Sequence, residues 1–367
     1  MSVRGPLVTV GMATYNGGQY LTESIRSVIE SSYSNIEILI VDDGSTDDSV
    51  AIAQGIGDHR IRVISNDLNS GLVRTRQQIM EEAQGTYLAW LDQDDIAYPN
   101  RIFSQVAFLE RHVKVGACGS LTFHRVHEQS GKEWLLKSRH NPKGHDEIFA
   151  QMPFLNPLSF NTATMRMSAF RQNNLDFREE FGNTLDYDMW SRAADVMELA
   201  NIQDYLGEYR VHSRQTSRGP ALDRMLQAAW SVQSEVLGRN LGVLIGTETD
   251  HIHRRMTLAP RLLVSERDAV EVGAWLRFLA ETNRDIRIYQ ERAFENALSR
   301  QWVLCLLHVS RGVGFAKASK IAGASRSIAG LRNRDLSQGA LSFLIGEGLE
   351  RAQKLIRGDG NPLRIRH

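Results

Sequence analysis

The chain reads as an α/β protein: a mostly parallel, Rossmann-like sheet followed by a helical C-terminal extension. Three observations predict this. Short Val/Ile/Leu runs alternate with helix-period stretches over the first hundred residues, three of those runs end in polar clusters, and helical patterns dominate after Pro220. Alternation of strand and helix implies parallel strands joined by right-handed crossovers. Sheets of this kind take their ligands at the carboxyl ends of the strands.

Leu7 to Ala13, Ile36 to Val41, Ile61 to Ile64 and Tyr87 to Leu91 are the candidate strands, each apolar enough to be buried on both faces. Between them, Gln19 to Ser31 carries Tyr20, Leu21, Ile25, Val28 and Ile29 at helical spacing, and Asp47 to Gln54 and Leu72 to Gln84 follow suit. Gly116 to Trp134 is strand-like, and Pro142 to Thr164 is loop-like with three prolines. Helical periodicity returns at Tyr187 to Val196, and again at Leu222 to Leu237, Arg261 to Ala280 and Ile286 to Val309. A domain boundary is expected near residue 220, dividing the chain into 1–220 and 221–367. His251-Ile252-His253 reads as a surface loop.

Composition bounds the function. The 367 residues include 43 Lys/Arg and 43 Asp/Glu, so there is no overall basic signature for nucleic acid. The charge is unevenly spread, with 13 Lys/Arg against 6 Asp/Glu from Glu291 to His367. Cys118 and Cys305 lie in apolar stretches and read as core residues, which favours a reducing, cytoplasmic setting. No signal peptide or spanning apolar run is recognisable.

The run Leu88-Ala89-Trp90-Leu91-Asp92-Gln93-Asp94-Asp95 drives a buried strand into three carboxylates. These repel one another once water is partly excluded, so an ordered arrangement calls for a divalent metal or a nearby arginine. Oxygen donors suit Mg²⁺ or Mn²⁺. The plainer alternative is that Asp94 or Asp95 N-caps the helix expected near Pro99. Asp42-Asp43-Gly44-Ser45-Thr46-Asp47 closes the second strand, where paired carboxylates can accept from a base imide or ribose hydroxyls while Thr46 or Asp47 caps the next helix. Thr14-Tyr15-Asn16 offers a wall for a planar base.

Asp186 and Asp188 open a helix, where they either favour its dipole or, in a cleft, supply a general base. Tyr209 to Arg218 packs Arg210, His212, Arg214 and Arg218 among hydroxyls. It is either a solvated loop or a diphosphate site, and a neutral His can join Asp on Mn²⁺. Gly11 to Tyr20 lacks the basic residue expected in the phosphate loop of a nucleotidyltransferase.

Taken in order, these clusters resemble an inverting family 2 glycosyltransferase of the GT-A fold over residues 7 to 217. The matching segments are Thr14-Tyr15-Asn16, Val41 to Asp47, Asn69-Ser70-Gly71 with Arg76, Gly85 to Asp95, Asp186 to Trp190, and Tyr209 to His212. The resemblance implies a nucleotide-diphosphate sugar donor, bound by Thr14, Tyr15, Asn16, Asp42, Asp43, Arg76, Asp92 and Asp94. It places Mn²⁺ or Mg²⁺ on Asp94, Asp95 and His212, and Asp186 as the catalytic base. Asp188, Trp190, Arg210 and Arg214 would face acceptor or diphosphate. The chain departs from the pattern at Leu185, Gln77 and Ile79, where the family favours an acidic residue, Asn and Gly.

A saccharide or lipid-linked glycan of a surface polysaccharide is the expected acceptor. The helical region would serve acceptor, membrane or dimer contacts. Ile345, Leu349, Ala352, Leu355 and Ile356 beside Arg351, Lys354 and Arg357 make an amphipathic face. It suits peripheral attachment to the cytoplasmic side of a membrane or pairing into a homodimer. The competing reading is a catalytically degenerate scaffold of the same fold that binds nucleotide or carbohydrate.

Overall fold

The computed structural model describes residues 5–127, 133–138, 141–212, 220–246, 251–314, 317–318 and 320–321. Arg214, Arg218 and the amphipathic segment 345–357 lie outside the described residues. The described residues divide into two compact units, one lying within 5–144 and 158–225 and the other within 145–157 and 226–321.

The first unit opens with β1 (Val8–Thr14), α1 (Gly18–Ile29), β2 (Ile36–Asp42), α2 (Ser49–Gly55), β3 (Ile61–Ser65), α3 (Leu72–Glu82) and β4 (Tyr87–Trp90). The four strands lie in the order β3-β2-β1-β4, all parallel, as the alternation predicts. β3 is only half-buried because it forms the edge of the sheet. Beyond β4 come β5 (Ile96–Ala97), α4 (Arg101–Arg111), β6 (Val115–His127) and β7 (Glu133–Lys137). α5 (His145–Gln151) belongs to the second unit; the first then resumes with β8 (Thr164–Arg166), α6 (Met167–Gln172), α7 (Leu185–Val196) and β9 (Glu198–Val211). The sheet continues from β4 through β8, β6 and β9 to β5, with β7 paired to β6. β8 is antiparallel to β4, so the strand carrying the acidic run is where the sheet changes direction.

Residue period 2 sorts β1 between the faces of the sheet. Val8, Val10 and Met12 join Leu21, Ile25 and Val28 of α1 and Ile102, Val106 and Leu109 of α4 in one core. Gly11 looks the other way, towards α3, and a Cβ there would lie 2.5 Å from Ile79 Cγ2. Ile79 is thus housed by a glycine in the strand it covers.

The second unit holds α5, most of α8 (Pro220–Leu241), α9 (Ile252–Leu258), α10 (Glu266–Ile286) and α11 (Glu291–Val313). Their common core includes Ala150, Leu237, Met256, Leu276, Phe294 and Trp302. Helix starts follow local chemistry. Ser265 and Asp268 form a reciprocal capping box on α10, and the Gln290 side chain accepts from Ala293 N–H at the start of α11.

The reading of His251-Ile252-His253 as a surface loop is corrected here. His251 N-caps α9, and His253 is wholly buried, with Nε2 2.8 Å from the Pro153 carbonyl and Nδ1 accepting from Trp275 Nε1 at 3.0 Å. That pattern of bonds requires a neutral ring with its proton on Nε2. Burial pushes the pKa of His253 down to about 4.

Candidate active site at the strand ends

The three polar clusters meet where the sheet requires. Thr14 stands in register with Asp42 and Gly11 with Trp90, so the segments after β1, β2 and β4 leave the sheet side by side. Asp43 N–H donates to the Thr14 carbonyl at 2.9 Å, and Leu91 N–H to the Gly11 carbonyl at 3.1 Å. Side chains then tie the loops together. Thr14 Oγ1 donates to Gln93 Oε1 at 2.7 Å, Asn16 N–H to Ser45 Oγ at 2.9 Å, and Thr46 N–H to Asn16 Oδ1 at 2.9 Å. Tyr15 is left 45% exposed, available as a wall.

Asp42 and Asp43 are both buried. Asp43 takes Ser70 N–H and Oγ–H on Oδ1, each at 2.8 Å, and Gly71 N–H on Oδ2 at 2.9 Å, which fixes the loop before α3. Asp42 Oδ2 accepts from Ser45 N–H at 3.0 Å. Asp42 Oδ1 is buried with no hydrogen-bond partner among the described residues, an acceptor in want of a donor.

The acidic run resolves its own repulsion by giving each carboxylate a different partner. Asp92 Oδ1 accepts from Arg76 at 2.7 Å, and the Arg76 guanidinium lies 3.9 Å above the Phe160 ring. Asp94 Oδ2 is 2.7 Å from His212 Nε2. Asp95 turns inward, taking Arg210 N–H on Oδ1 at 2.9 Å and Asn161 Nδ2 on Oδ2 at 2.6 Å. Burial raises the pKa of Asp92, with the Arg76 charge opposing. Burial, then Asp94 and Asp92, hold Asp95 well above the usual carboxylate range. Beneath them Arg101 is buried, donating to the Trp90 carbonyl at 2.6 Å, and burial lowers its pKa to about 10. Neither Asp94 nor Asp95 caps α4, whose N-cap is Asn100.

The metal set expected from the sequence is Asp94, Asp95 and His212. Among the described residues no group of three or more His, Cys, Asp or Glu is arranged to hold a metal. Each Asp95 oxygen accepts a hydrogen bond inside the protein, from Arg210 N–H and from Asn161, so Asp95 braces β9. Asp94 with His212 does fit Mn²⁺ or Mg²⁺, which bind through one or two protein groups and complete their shell with phosphate and water.

Two expectations change. Asp188 is wholly buried and clamped by Arg178 and by Arg192, the latter at 2.7 Å, so it does not face an acceptor or diphosphate. Trp190 is wholly buried among Phe160 and Phe170 and cannot either. Arg76 and Arg210 are also largely buried. Arg210 pairs with Glu23 at 2.6 Å, donates to the Asp94 carbonyl at 2.8 Å and lies 4.7 Å above the Tyr20 ring, which itself packs against His212. Arg210 therefore sets the acidic loop and His212. Asp186 lies in the first turn of α7 and is part exposed. Its helix packs through Trp190 on Phe160, which also meets Trp90 at the end of β4.

Several residues that hold the site were not legible as such. Gln93 sits inside the acidic run, but its role depends on where the Thr14 loop falls in space. Asn161, Glu23, Arg178 and Arg192 carry no motif at all; each matters through one partner distant in sequence or a helix turn away.

The sequence pattern described as "Glycosyl transferase family 2" matches residues 9–173, which include all three strand-end clusters and stop short of Asp186 and His212. An uncharacterized glycosyltransferase of Haemophilus influenzae is 36% identical over 221 residues, covering 58% of this chain and 68% of that protein. Uncharacterized glycosyltransferase RP339 of Rickettsia prowazekii is 27% identical over 216 residues, covering 59% of this chain and 67% of that protein. Among solved structures, S. aureus TarS 1–349 matches with a TM-score of 0.52 at 17% identity, over 87% of this chain and 91% of that one. The same fragment in complex with UDP-GlcNAc gives 0.52 at 18% identity. A likeness at that identity is one of fold.

Proposed function

The chain belongs to the family 2 glycosyltransferases and has the GT-A fold, and from that premise we propose that it transfers a sugar from a nucleotide-diphosphate donor to a hydroxyl acceptor with inversion. The observation that carries this reading is the meeting of Tyr15, Asp42 and the Asp94–His212 pair at the carboxyl ends of β1, β2 and β4. Tyr15 supplies a stacking face, and Asp42 Oδ1 an unsatisfied acceptor for a base N–H or ribose hydroxyl. Asp94 and His212 would hold Mn²⁺ or Mg²⁺, which when bound offsets the charge of a leaving diphosphate.

Asp186 is the general base in this reading, taking the proton of the attacking hydroxyl while the bond between anomeric carbon and diphosphate oxygen breaks. A single displacement needs one carboxylate at the acceptor, unlike the paired acids of a glycosidase. The acceptor is a saccharide, free or lipid-linked, of the kind assembled into surface polysaccharides. Residues 1–220 would serve the donor, and 221–367 the acceptor, a membrane surface on the cytoplasmic side, or a second copy of the chain.

Calorimetric titration of UDP, GDP and dTDP, with and without Mn²⁺, tests the donor site. One nucleotide should bind in a metal-dependent way, and Asp94→Ala should abolish the metal dependence. Asp186→Asn should retain that affinity while slowing transfer by roughly 100-fold or more. Binding without any turnover in the unaltered protein, across donors and acceptors, would instead mark a degenerate scaffold.

A further inference from the structure

The loop that presents Tyr15 is held almost entirely by side chains from elsewhere. Tyr15 N–H and Thr14 Oγ1–H both donate to Gln93 Oε1, at 3.0 and 2.7 Å, and Gln93 Nε2 reaches the Tyr15 carbonyl at 3.4 Å. On the other flank Ser45 Oγ, Ser49 Oγ and Asp47 Oδ2 accept from the N–H groups of Asn16, Gly17 and Gly18 at 2.9, 2.9 and 3.1 Å. Four successive N–H groups thus end on side chains, and Asn16 is held in the left-handed region at φ 48°.

Gln93 is itself fixed. It lies between Asp92 and Asp94 in the chain, and Ser24 Oγ donates to its carbonyl at 2.8 Å. Room for its amide depends on one neighbour. A Cβ on Gly17 would collide with the Gln93 amide and come within 3.0 Å of Thr14 Oγ1. The backbone of Gly17, at φ −100° and ψ 4°, is not in the left-handed region that favours glycine, and the nearest obstacle to a side chain there is the Gln93 amide.

We propose that Gln93 is a positioning residue for the donor nucleotide, setting the exposed face of Tyr15 against the metal-side acids, and that Gly17 serves to leave the Gln93 amide in place. This rests on the nucleotide-donor reading above. Gln93 does not touch the donor; it acts through the Thr14-Tyr15 backbone. One side chain then couples the wall for the base to the loop of the acids, so tilting that wall weakens ground-state and transition-state binding alike. Its removal therefore appears in KM and not in kcat.

Three single variants and one double variant test this. Gln93→Met keeps the length and removes both acceptor bonds; Gln93→Glu keeps the acceptor; Gly17→Ala displaces the amide. Affinity is read with UDP, GDP and dTDP in the presence of Mn²⁺, and KM and kcat from hydrolysis of UDP-glucose, GDP-mannose and dTDP-rhamnose in the absence of acceptor. Gln93→Met and Gly17→Ala should each weaken the preferred nucleotide about tenfold and raise KM in proportion, with kcat within about twofold. Gln93→Glu should recover most of the affinity, and the Gly17→Ala/Gln93→Met double variant should be no weaker than the weaker single.

Unchanged affinity in Gln93→Met, additive losses in the double variant, or losses that follow a lowered unfolding midpoint with no rescue by Gln93→Glu would each overturn the proposal. If the unaltered protein binds none of the three nucleotides, the donor reading fails first and this role falls with it. Binding by the unaltered protein and equally by Gln93→Met would overturn the positioning role alone.

Discussion

Asp186 and Asp188 stand two residues apart on the first turn of α7, one part exposed, the other wholly buried between Arg178 and Arg192. Helical geometry separates them by some 200° around the axis, so one can look out of the protein only if the other looks in. Removing one partner from a buried pair costs about 3–5 kcal/mol. Here both arginines keep partial access to water, at 32% and 20% side-chain exposure, which favours the low end of that range. Asp188→Ala should therefore lower the unfolding free energy by about 3 kcal/mol in a denaturant titration, with nucleotide affinity unaltered. Normal stability together with lost affinity would restore Asp188 as a ligand contact. The sequence offered two acids with equal claims to a helix start, and burial decides between them.

At the scale of elements, the parallel half of the sheet was legible because strands covered on both faces leave continuous apolar runs, each stopped by a polar cluster. The other half was less so. β5 and β8 have two and three residues, too few to show a period, and α5 lies within a stretch that its prolines mark as loop. His253 was misread because its partners, Pro153 and Trp275, lie 100 and 22 residues away. It makes a prediction of its own. The folded-state pKa of about 4 lies below the ordinary 6.5, so the unfolded chain binds the extra proton between those values. Stability from the neutral ring is complete above pH 6.5 and lost as pH falls towards 4, by at most about 3 kcal/mol. Thermal melts from pH 7 to pH 4 should show this loss, and His253→Phe, though less stable at neutral pH, should show a shallower slope. Equal slopes would mean that other groups govern the acid limb.

For the whole molecule, no helix among the described residues is long and apolar enough to cross a membrane. The basic excess after Glu291 makes the C-terminal segment the place to look for the proposed peripheral contact. The 367-residue chain should float with vesicles containing anionic lipid, and a chain lacking residues 331–367 should not. Flotation unchanged by that truncation would leave the segment to pairing between copies or to the solvent.

The bonds from Arg210 to Asp95 and from His212 to Asp94 span 115 and 118 residues. The residues of the proposed wall for the base, as far as Gln93, are therefore synthesised well before those of β9 that hold the acids. An emerging chain that has reached residue 173, the end of the family match, already holds all three strand-end clusters but lacks the strand that pins Asp95 and pairs Asp94. Until β9 closes, the acidic run has only Arg76 and Arg101 to offset three carboxylates. In the proposed reading, any capacity for metal and diphosphate therefore waits for β9, which joins β6 and β5 in the same sheet.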